Sequence, residues 1–460
     1  MNRNQTTIRR WLSSMCAVLS VLVVGQVVVA QPCHDKWDAS FGDPGPNGTV
    51  HALKAFDGSL YVGGDFDEVG STTTGQVAEW DGTTWSAASN GLPSGATVID
   101  LEVHDGALYA LCQLYSPTMA IEVYKLDSGT WDDVTGDLSL ETAFDMYSWA
   151  STGSLYISSD GGCNDGTSIW ELQSNGDWDQ VSASPNYGFA VWTMLGWEID
   201  SNAVLLVGTN GDSLFQCTSG NADVDGGVLA LNAGDWEYVG PNIDDWGDCN
   251  TQPEHGPAIP AARALEPFDG GVAAAGEHWW ICNEIAYAGP VAVSTDADLS
   301  GWEAPGGEVA WGGVRSLKSL TWPGCDREQL YAGGHKMVPN GISASAIVKF
   351  EAGGGVWYEV DGGIPSPSNQ NKKVLAMEVY KCALYVGGQF DDAGGNTVSN
   401  IARLTRCIGD WNNDGSVTSQ DFIAFLNDYN ASCPCADVNC DGQVNSLDYI
   451  AFLNSYNAGC

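Results

Sequence analysis

The sequence is poor in charged residues, and above all in basic ones. Only 16% of its 460 residues are charged, and 17 Lys and Arg stand against 58 Asp and Glu. Globular proteins typically carry about 25% charged residues. The net charge of −41 repels phosphate backbones and anionic lipid, which argues against nucleic-acid binding and against a polybasic membrane role. Cations, cationic partners and salty water remain compatible with such a surface.

Long apolar runs are absent after the first thirty residues. Before that point, three arginines precede an apolar stretch from Met15 to Ala30, and the small residues before Gln31 are typical of a cleavage site. We interpret residues 1–30 as a secretory signal peptide and expect a secreted protein, extracellular or at the cell surface. No membrane span is expected after cleavage, and an uncleaved anchor is the alternative.

Catalytic signatures are lacking as well. The chain contains no G-x-S-x-G, no H-E-x-x-H, no phosphate loop and no C-x-x-C motif, and its six histidines are widely scattered. Acidic pairs are so common that spacing cannot single out the two carboxylates of a glycosidase. The sequence therefore assigns no catalytic residue.

Glycine and tryptophan are abundant, with 57 and 19 residues, and they mark an internal repeat of about fifty residues. The segment Leu60–Gly64 reads Leu-Tyr-Val-Gly-Gly, and close copies begin at Leu330 and Leu384. Degenerate copies begin at Leu108, Leu155, Leu205 and Val272. Asp-Gly or Gly-Gly turns separate short β runs, so each unit is predicted to hold four strands, the copied segment being the second. The glycines that end this strand are expected to allow backbone conformations that a Cβ would hinder.

A tryptophan opens the predicted fourth strand of each unit, and we call it the closing tryptophan. Six of them follow a second strand, namely Trp85, Trp131, Trp178, Trp236, Trp302 and Trp357. The seventh, Trp37, comes before the first full unit. We therefore expect the strand around Trp37 to complete the last blade, beside the final strand near Ile401, and to close a ring.

Seven units of four strands predict an all-β fold, a seven-bladed β-propeller over residues 31–406. A solenoid or a pair of sandwiches is the alternative, but neither has a reason to divide one repeat between the termini. The units resemble kelch-like propeller repeats, in which a glycine pair ends strand two and a tryptophan opens strand four. They also resemble the "LYVGG" propeller repeats of secreted bacterial proteins. The resemblance covers about residues 37–405 and implies a fold rather than an activity.

Cysteine usage agrees with export. Of the 14 cysteines, Cys16 lies in the signal peptide, and the remaining number is odd, so one thiol is free or pairs between chains. We expect a disulfide between Cys33 and Cys407, which flank the ring closure. A second is expected between Cys325 and Cys382, which precede the second strands of neighbouring blades.

Two twelve-residue segments near the C-terminus have the spacing of an EF-hand calcium loop. Oxygen donors stand at positions 1, 3, 5 and 12, and glycine at position 6 allows a sharp turn. Position 7 would supply a backbone carbonyl, and the ligand at position 9 often acts through water. The predicted Ca²⁺ ligands are Asp410, Asn412, Asp414, Ser416, Thr418 and Asp421 in the first loop, and Asp437, Asn439, Asp441, Gln443, Asn445 and Asp448 in the second. Two Asx-rich turns without metal are the alternative.

Each loop leads into an amphipathic helical pattern. The predicted apolar faces are Phe422, Ile423, Phe425, Leu426 and Tyr429, and Tyr449, Ile450, Phe452, Leu453 and Tyr456. Paired loop-and-helix units with Asp at position 12 resemble a type I dockerin over about residues 408–458. The resemblance implies a small all-α, calcium-binding domain at residues 407–460, with a cohesin-like or cell-surface protein as partner. Such a module is marginal alone, so Cys433, Cys435, Cys440 and Cys460 are expected to staple it.

Polar residues recur at one position of the propeller units, five residues after the start of each second strand. They are Asp65, Gln113, Asp160, Asn210, Glu277, His335 and Gln389, and we call them the rim residues. They are expected on one face of the propeller, as a rim for a ligand or cation or as partners of the strand-two loop. Long insertions at 241–260 and 277–290 contain Trp246, Trp279 and Trp280, which would stack on sugar rings or pack over Cys249 and Cys282.

Three functions remain open at this point. The first is a secreted, non-catalytic protein that binds a partner or glycan through the propeller and attaches or assembles through the calcium-dependent tail. The second is a carbohydrate-active enzyme, a glycoside hydrolase or polysaccharide lyase, because dockerins typically accompany enzymes that degrade polysaccharides. The third is a structural protein of the cell surface.

Overall fold

The computed structural model places seven antiparallel sheets around a closed ring, followed by two helices. The predicted signal peptide lies outside the described residues, and no helix within the described residues is long and apolar enough to cross a membrane. The structure describes residues 35–89, 92–160, 168–181, 190–199, 201–209, 227–232, 235–240, 261–276, 291–294, 296–306, 309–310, 312–325, 327–339, 345–366, 372–412 and 414–459.

Each sheet forms one propeller blade, whose strands follow one another from the ring axis outward. The strands are Val50–Phe56, Ser59–Gly64, Val77–Trp80 and Trp85–Ala87 in blade 1; Thr97–His104, Ala107–Leu114, Ala120–Asp127 and Thr130–Asp133 in blade 2; Ala143–Trp149, Ser154–Ser159, Ile169–Leu172 and Trp178–Gln180 in blade 3; and Val191–Ile199, Asn202–Thr209, Gly227–Asn232 and Asp235–Gly240 in blade 4. The predicted second strands and closing tryptophans of these blades are confirmed.

The remaining blades follow the same plan with small additions. Their strands are Ala262–Phe268, Gly271–Gly276, Val291–Ser294 and Trp302–Glu303 in blade 5; Gly313–Leu320, Gln329–Pro339, Ser345–Glu351 and Trp357–Glu359 in blade 6; and Lys373–Tyr380, Ala383–Gln389, Ile401–Arg406 and Asp35–Trp37 in blade 7. Val309–Ala310 adds a strand to blade 6, and two ribbons, Glu68–Val69 with Thr72–Thr73 and Asp392–Ala393 with Asn396–Thr397, follow the second strands of blades 1 and 7.

The ring closes as predicted. Asp35–Trp37 runs antiparallel to Ile401–Arg406, and Trp37 lies opposite Leu404. The indole Nε1 of Trp37 donates a hydrogen bond to the carbonyl of Val360, which lies three residues after the closing tryptophan of blade 6. The same bond joins three other pairs of neighbouring blades, namely Trp131 to Ala88, Trp302 to Val239 and Trp357 to Pro305. A buried indole N–H needs an acceptor, so these four closing tryptophans link their blades by hydrogen bonds as well as by packing.

The glycine pair of the repeat has a steric role instead of the conformational one that we expected. Neither Gly63 nor Gly64 has a positive φ. A Cβ on Gly63 would lie 2.6 Å from a methyl carbon of Val98, the first-strand valine of the next blade. Gly387 meets Val50 in the same way at 2.4 Å. In the blades that carry it, the glycine therefore provides the room for the neighbouring blade to approach.

The closing strand is also held by a buried charge. One carboxylate oxygen of Asp35 lies 2.6 Å from Nζ of Lys349 in blade 6, and both side chains are almost fully buried. The other oxygen accepts a hydrogen bond from the hydroxyl of Tyr331, which in turn accepts one from the indole of Trp322. Burial raises the pKa of Tyr331 well above its usual value, so this hydroxyl remains a donor. Blade 6 is thus tied to the strand that completes blade 7.

The C-terminal module packs against the end of the propeller where first strands turn into second strands. Its helices are Ser419–Asn430 and Ser446–Ala458, with a short 3₁₀ helix at Pro434–Ala436 between them. The buried guanidinium of Arg406 donates to the carbonyls of Pro323 in a blade 6 turn and of Asp410 and Trp411 in the module. Burial lowers the pKa of Arg406 to about 10, so it stays charged at neutral pH.

The expected disulfide between Cys325 and Cys382 is wrong. Cys382 pairs with Cys440 of the second loop, at a Cα separation of 5.7 Å. Cys382 lies in the first hairpin turn of blade 7, where Lys381 and Cys382 both have positive φ, and this turn lies against the module, beside the blade 6 turn that contains Cys325. Within the module, Cys433 pairs with Cys435.

The other described cysteines agree with the odd number of cysteines outside the signal peptide, which leaves one thiol unpaired. Cys325 and Cys407 are disulfide-bonded, and Cys33, the expected partner of Cys407, lies outside the described residues. Cys112 is the free cysteine within the described part of the chain. It is fully buried in blade 2, and burial raises the pKa of its thiol, so it is unsuited to pairing with another chain.

The substitution Asp35→Ala is expected to lower the free energy of unfolding by about 3 kcal/mol, because it leaves the ammonium of Lys349 buried without its partner. Urea unfolding followed by tryptophan fluorescence measures this change. Asp38→Ala is the matched control, since Asp38 and Arg403 are 3.4 Å apart and partly exposed, and we expect a loss below about 1 kcal/mol. Equal effects of the two substitutions would contradict the role given to Asp35.

Candidate functional site

The first predicted calcium loop is organised by its own carboxylates. The two oxygens of Asp410 accept hydrogen bonds from the backbone N–H groups of Asp414 and Gly415, at 3.0 and 2.9 Å. The two oxygens of Asp421, at position 12, accept from the N–H groups of Asn412 and Thr418. Gly415 has a φ of +84°, the left-handed conformation that a glycine adopts without strain. The loop is therefore wound around its acidic side chains.

The second loop repeats this arrangement position by position. Asp437 accepts from the N–H groups of Asp441 and Gly442, and Asp448 accepts from those of Asn439 and Asn445. Gly442 has a φ of +81°. Thr418 and Asn445, both at position 9, also cap the helices that follow, each in a capping box with the Asp at position 12. One local sequence pattern thus builds the same loop twice.

The donor set of the first loop fits a hard divalent cation. One carboxylate oxygen each from Asp410, Asp414 and Asp421 lies within 4.8 Å of the others. The second loop's carboxylates do not approach one another as closely. Oxygen ligands without nitrogen or sulfur, in a loop with glycine at position 6, match the chemistry of Ca²⁺. Asn412, Ser416 and Thr418, and Asn439, Gln443 and Asn445, lie at the remaining predicted ligand positions.

The helices of the module pack through a narrower stripe than we expected. Phe425 and Phe452 are fully buried and stack with ring centroids 3.9 Å apart, while Trp411 packs edge-on against both. Ile423 and Ile450, which we assigned to the apolar faces, are instead 58% and 52% exposed. The aromatic side chains that pack into the module core are spaced i, i+3 and i+7, namely Phe422, Phe425 and Tyr429, and Tyr449, Phe452 and Tyr456. An isoleucine one residue after the first of each set is rotated about 100° away. Trp411, at position 2 of the first loop, is therefore a core residue.

The rim residues that the structure describes lie at or next to the register position where each second strand meets the start of the first strand. The hydrogen bonds and the exposure of these side chains differ from blade to blade. The side-chain amide of Gln113 donates to the carbonyls of Leu114, Ala120 and Glu141, and Asp65 accepts from the N–H of Thr49. These two residues therefore brace local loops, as one of our two interpretations expects. Asp160 and Gln389 are exposed and His335 is half-buried, whereas Asn210, Glu277 and both tryptophan-bearing insertions lie outside the described residues.

A second set of residues at this end of the ring was missed by sequence reasoning. The first strand of every blade contains a β-bulge, one or two residues after it begins to pair with the second strand. Each bulge leaves one residue without a partner opposite, and all of these residues are half-buried. We call them the bulge residues, and they are His51, Ile99, Phe144, Trp192, Arg263, Arg315 and Leu375.

The bulge residues of blades 3, 4 and 5 contact one another at this end of the ring. The rings of Phe144 in blade 3 and Trp192 in blade 4 have centroids 3.9 Å apart. The guanidinium carbon of Arg263 in blade 5 lies 3.6 Å from the centroid of Trp192, a cation–π contact. We call this end of the axis the channel mouth.

Charged side chains line the axis beneath the mouth. Lys54 pairs with Glu102 of the next blade at 2.7 Å, and Lys318 pairs with Glu378 at 3.3 Å. All four are partly exposed, which is consistent with a channel that solvent reaches. The first strand of each blade contacts the first strands of both neighbouring blades. Side chains at the positions of Lys54 and Glu102 therefore face one another across blade boundaries.

Two carboxyl groups, those of Asp100 and Asp145, lie between the mouth and this charged layer. Each accepts a hydrogen bond from a backbone N–H of the following blade, Met146 and Met194 respectively. Enclosure by protein, followed by the charge of Glu102, raises the pKa of Asp100 to about 7. Enclosure and the nearby Asp100 raise the pKa of Asp145 well above its usual value. The pair therefore retains protons at a pH where exposed aspartates have lost theirs.

Comparisons with known proteins do not place the chain in a family. No protein-family model matches it, and neither does any curated protein. Among solved structures, it is similar to the computationally designed Ika8 protein, with 11% identity, a TM-score of 0.43, and coverage of 79% of this chain and 97% of that one. A chain of the Mitotic Checkpoint Complex is 13% identical with a TM-score of 0.42, and the match covers 78% of this chain and 89% of that one. The Dos1 propeller is 11% identical with a TM-score of 0.39, and the match covers 81% of this chain and 94% of that one.

The substitution Asp100→Asn is expected to change how stability depends on pH. A carboxyl whose pKa is higher in the folded than in the unfolded state binds more protons when folded, so its contribution to stability falls as pH rises from about 4 to about 7. Asparagine cannot ionise. The variant should therefore gain stability relative to the unsubstituted protein across this range, by on the order of 2 kcal/mol.

Urea unfolding at pH 4.5 and at pH 8 measures this difference. Asp105→Asn is the control, because the Asp105 side chain is 81% exposed in the turn of the same blade. A stability difference between the Asp100 variant and the unsubstituted protein that stays constant with pH would contradict the assignment.

Proposed function

We propose that this chain is a secreted, non-catalytic binding protein with two working surfaces. The propeller binds a partner or glycan at the channel mouth, and the dockerin-like module binds two Ca²⁺ ions and mediates attachment or assembly. The observation that carries the proposal is the placement of the two surfaces at opposite ends of the first strands. The module contacts the turn at Cys382, where the first strand of blade 7 ends, whereas the mouth lies near Lys373, where that strand begins. Neither surface covers the other.

Calcium binding is supported by the equivalent hydrogen bonds of the two loops and by the donor set of the first. The acidic surface suits a cation, and no Lys or Arg lies between Asp410 and Cys460. The ion would neutralise carboxylates that otherwise repel one another, so we expect it to stabilise the module more than the propeller. The partner of the module is a cohesin-like or cell-surface protein in this proposal.

A binding role is favoured over catalysis by the surroundings of the acidic pair. Asp100 and Asp145 accept backbone hydrogen bonds across blade boundaries, an arrangement that holds blades in position. An assay of soluble polysaccharides for released reducing ends tests the alternative of a glycoside hydrolase or lyase. A glycan array tests binding, and we expect retention of a glycan without new reducing ends. Turnover of any polysaccharide would overturn the non-catalytic assignment.

Calorimetric titration is expected to give two Ca²⁺ ions per chain. Asp414→Asn and Asp441→Asn each remove one charge at position 5 of a loop, on an exposed side chain, and each should weaken one site about tenfold or more while leaving the other intact. Asp179→Asn, on the exposed edge of blade 3, is the control and should leave both sites unchanged.

Chelation should unfold the module and leave the β-sheet circular dichroism of the propeller intact. In a pull-down, attachment to the partner should be lost with EDTA. A single thermal transition that is insensitive to EDTA would contradict calcium binding, and a partner retained equally in EDTA would contradict calcium-dependent attachment.

A further inference from the structure

Each predicted calcium loop is tied to the propeller, but by a different interaction. The first loop is held by Arg406, which donates hydrogen bonds to the carbonyls of Asp410 and Trp411. The second loop is held by the disulfide between Cys382 and Cys440. Cys440 is the fourth residue of this loop, so a covalent link joins the interior of the predicted site to blade 7.

The propeller end of this link is firmly placed. Cys382 lies in the two-residue turn that joins the first two strands of blade 7. The hydroxyl of Tyr380 donates a hydrogen bond of 2.6 Å to the carbonyl of Gly58, and the ammonium of Lys381 donates one of 2.7 Å to the carbonyl of Asp81. Both bonds cross to blade 1, so the turn offers the loop a fixed point of attachment.

The loop end of the link lies among the predicted ligands. Cys440 stands between Asn439 and Asp441, at positions 3 and 5, and its φ of +52° is in the left-handed region. A residue with a Cβ adopts this conformation at a cost, so the loop needs an interaction that favours it. The Sγ atoms of Cys382 and Cys440 both lie 4.0 Å from the carbonyl oxygen of Asp437, at position 1. The disulfide therefore restrains the segment that carries positions 1, 3 and 5.

The second loop has more need of such a restraint than the first. One carboxylate oxygen each from Asp410, Asp414 and Asp421 lies within 4.8 Å of the others, and the carboxylates of the second loop do not approach so closely. Trp411 also anchors the first loop in the module core, whereas the second loop has the smaller Val438 at the same position. A smaller side chain buries less apolar surface and holds its loop less strongly.

We propose that Cys382 of the propeller is a positioning residue for the second calcium site, which has high affinity only while the disulfide with Cys440 is intact. The proposal rests on the calcium binding proposed above and adds its regulation. A restrained loop loses less conformational freedom when it closes around Ca²⁺, so the disulfide favours binding. Reduction by a dithiol transfers two electrons and two protons to the sulfur atoms, oxidises the dithiol to its own disulfide, and frees the loop.

A reductant can reach this disulfide. Cys440 is exposed, and both cysteines border a cleft of about 360 Å³ between the propeller turns and the module. Disulfides persist in oxidising surroundings and are lost in reducing ones. Calcium-dependent attachment through the module is therefore confined to places where the link to the propeller is oxidised, as is expected after export.

Calorimetric Ca²⁺ titration of Cys382→Ser/Cys440→Ser tests the proposal. Each site is resolved alone by adding Asp414→Asn, which weakens the first site, or Asp441→Asn, which weakens the second. We expect the cysteine substitutions to weaken the second site about tenfold or more, because binding must then order a free loop, and to leave the first site unchanged. Circular dichroism verifies that the propeller is folded.

Cys433→Ser/Cys435→Ser is the matched control. It also removes one disulfide close to the second loop, but this disulfide joins two residues of the module and leaves the link to the propeller intact. We expect the affinity of the second site to be unchanged. Equal losses from the two pairs of substitutions would show a general effect of disulfide removal and overturn the role of the propeller.

A reciprocal measurement needs no substitution. If the disulfide strengthens calcium binding about tenfold, saturating Ca²⁺ must favour the disulfide over the two thiols by the same factor. Protein is equilibrated with graded ratios of reduced and oxidised dithiothreitol, in Ca²⁺ or in EDTA, and alkylation with mass spectrometry then measures the free thiols at Cys382 and Cys440. Equal reduction in Ca²⁺ and in EDTA would overturn the proposal.

The outcomes separate this proposal from the calcium binding on which it rests. Two sites of unchanged affinity after Cys382→Ser/Cys440→Ser would retain calcium binding and overturn its regulation. Equal weakening of both sites would show that the disulfide stabilises the module as a whole, and would overturn its specific role at the second loop. Absence of calcium binding by the unsubstituted protein would overturn both.

Discussion

The architecture depends on the pairing of Asp35–Trp37 with Ile401–Arg406. A propeller blade leaves apolar surface uncovered on both sides, so an open ring would expose two such faces to water. Three residues from the N-terminus prevent this by completing the last blade, with the Trp37 indole bonded to Val360 and the Asp35 carboxylate bonded to Lys349 and Tyr331. The short strand is held by one aromatic and one buried charged side chain, and both contact blade 6. It therefore joins the last two blades as well as the two ends of the chain.

A second constraint is the bulge at the start of every first strand. Without it, strict alternation would direct each side chain of the innermost strand toward a neighbouring blade. The bulge releases one residue per blade from that alternation, and the identity of the released residue differs from blade to blade. Blades 3, 4 and 5 use this freedom for Phe144, Trp192 and Arg263, which contact one another. The repeated scaffold thus supports a mouth that is not symmetric.

Spacing in the sequence was sufficient to predict the ring and its closure, and it located the two acidic loops, whose calcium binding stays a prediction. The repeat length, the closing tryptophans and the Asp and Gly positions of Asp410–Asp421 are local patterns that each impose one backbone geometry. The bulge residues were not predictable in this way, because an extra residue in a strand does not change its composition. The pairing of Cys382 with Cys440 depends on how the module packs against the propeller, which no spacing encodes. Ile423 and Ile450 were misassigned because an apolar side chain beside a buried stripe looks the same in sequence as one within it.

The disulfide between Cys382 and Cys440 has a consequence for how force would pass through the molecule. A pull on the module enters the propeller at Cys407, which directly follows Ile401–Arg406. The cross-link adds a second path through the hairpin turn at Cys382, so Lys373–Tyr380 and Ala383–Gln389 share the load with Ile401–Arg406. Tension is then spread over three strands of one blade, and the propeller resists being unravelled from its attached end.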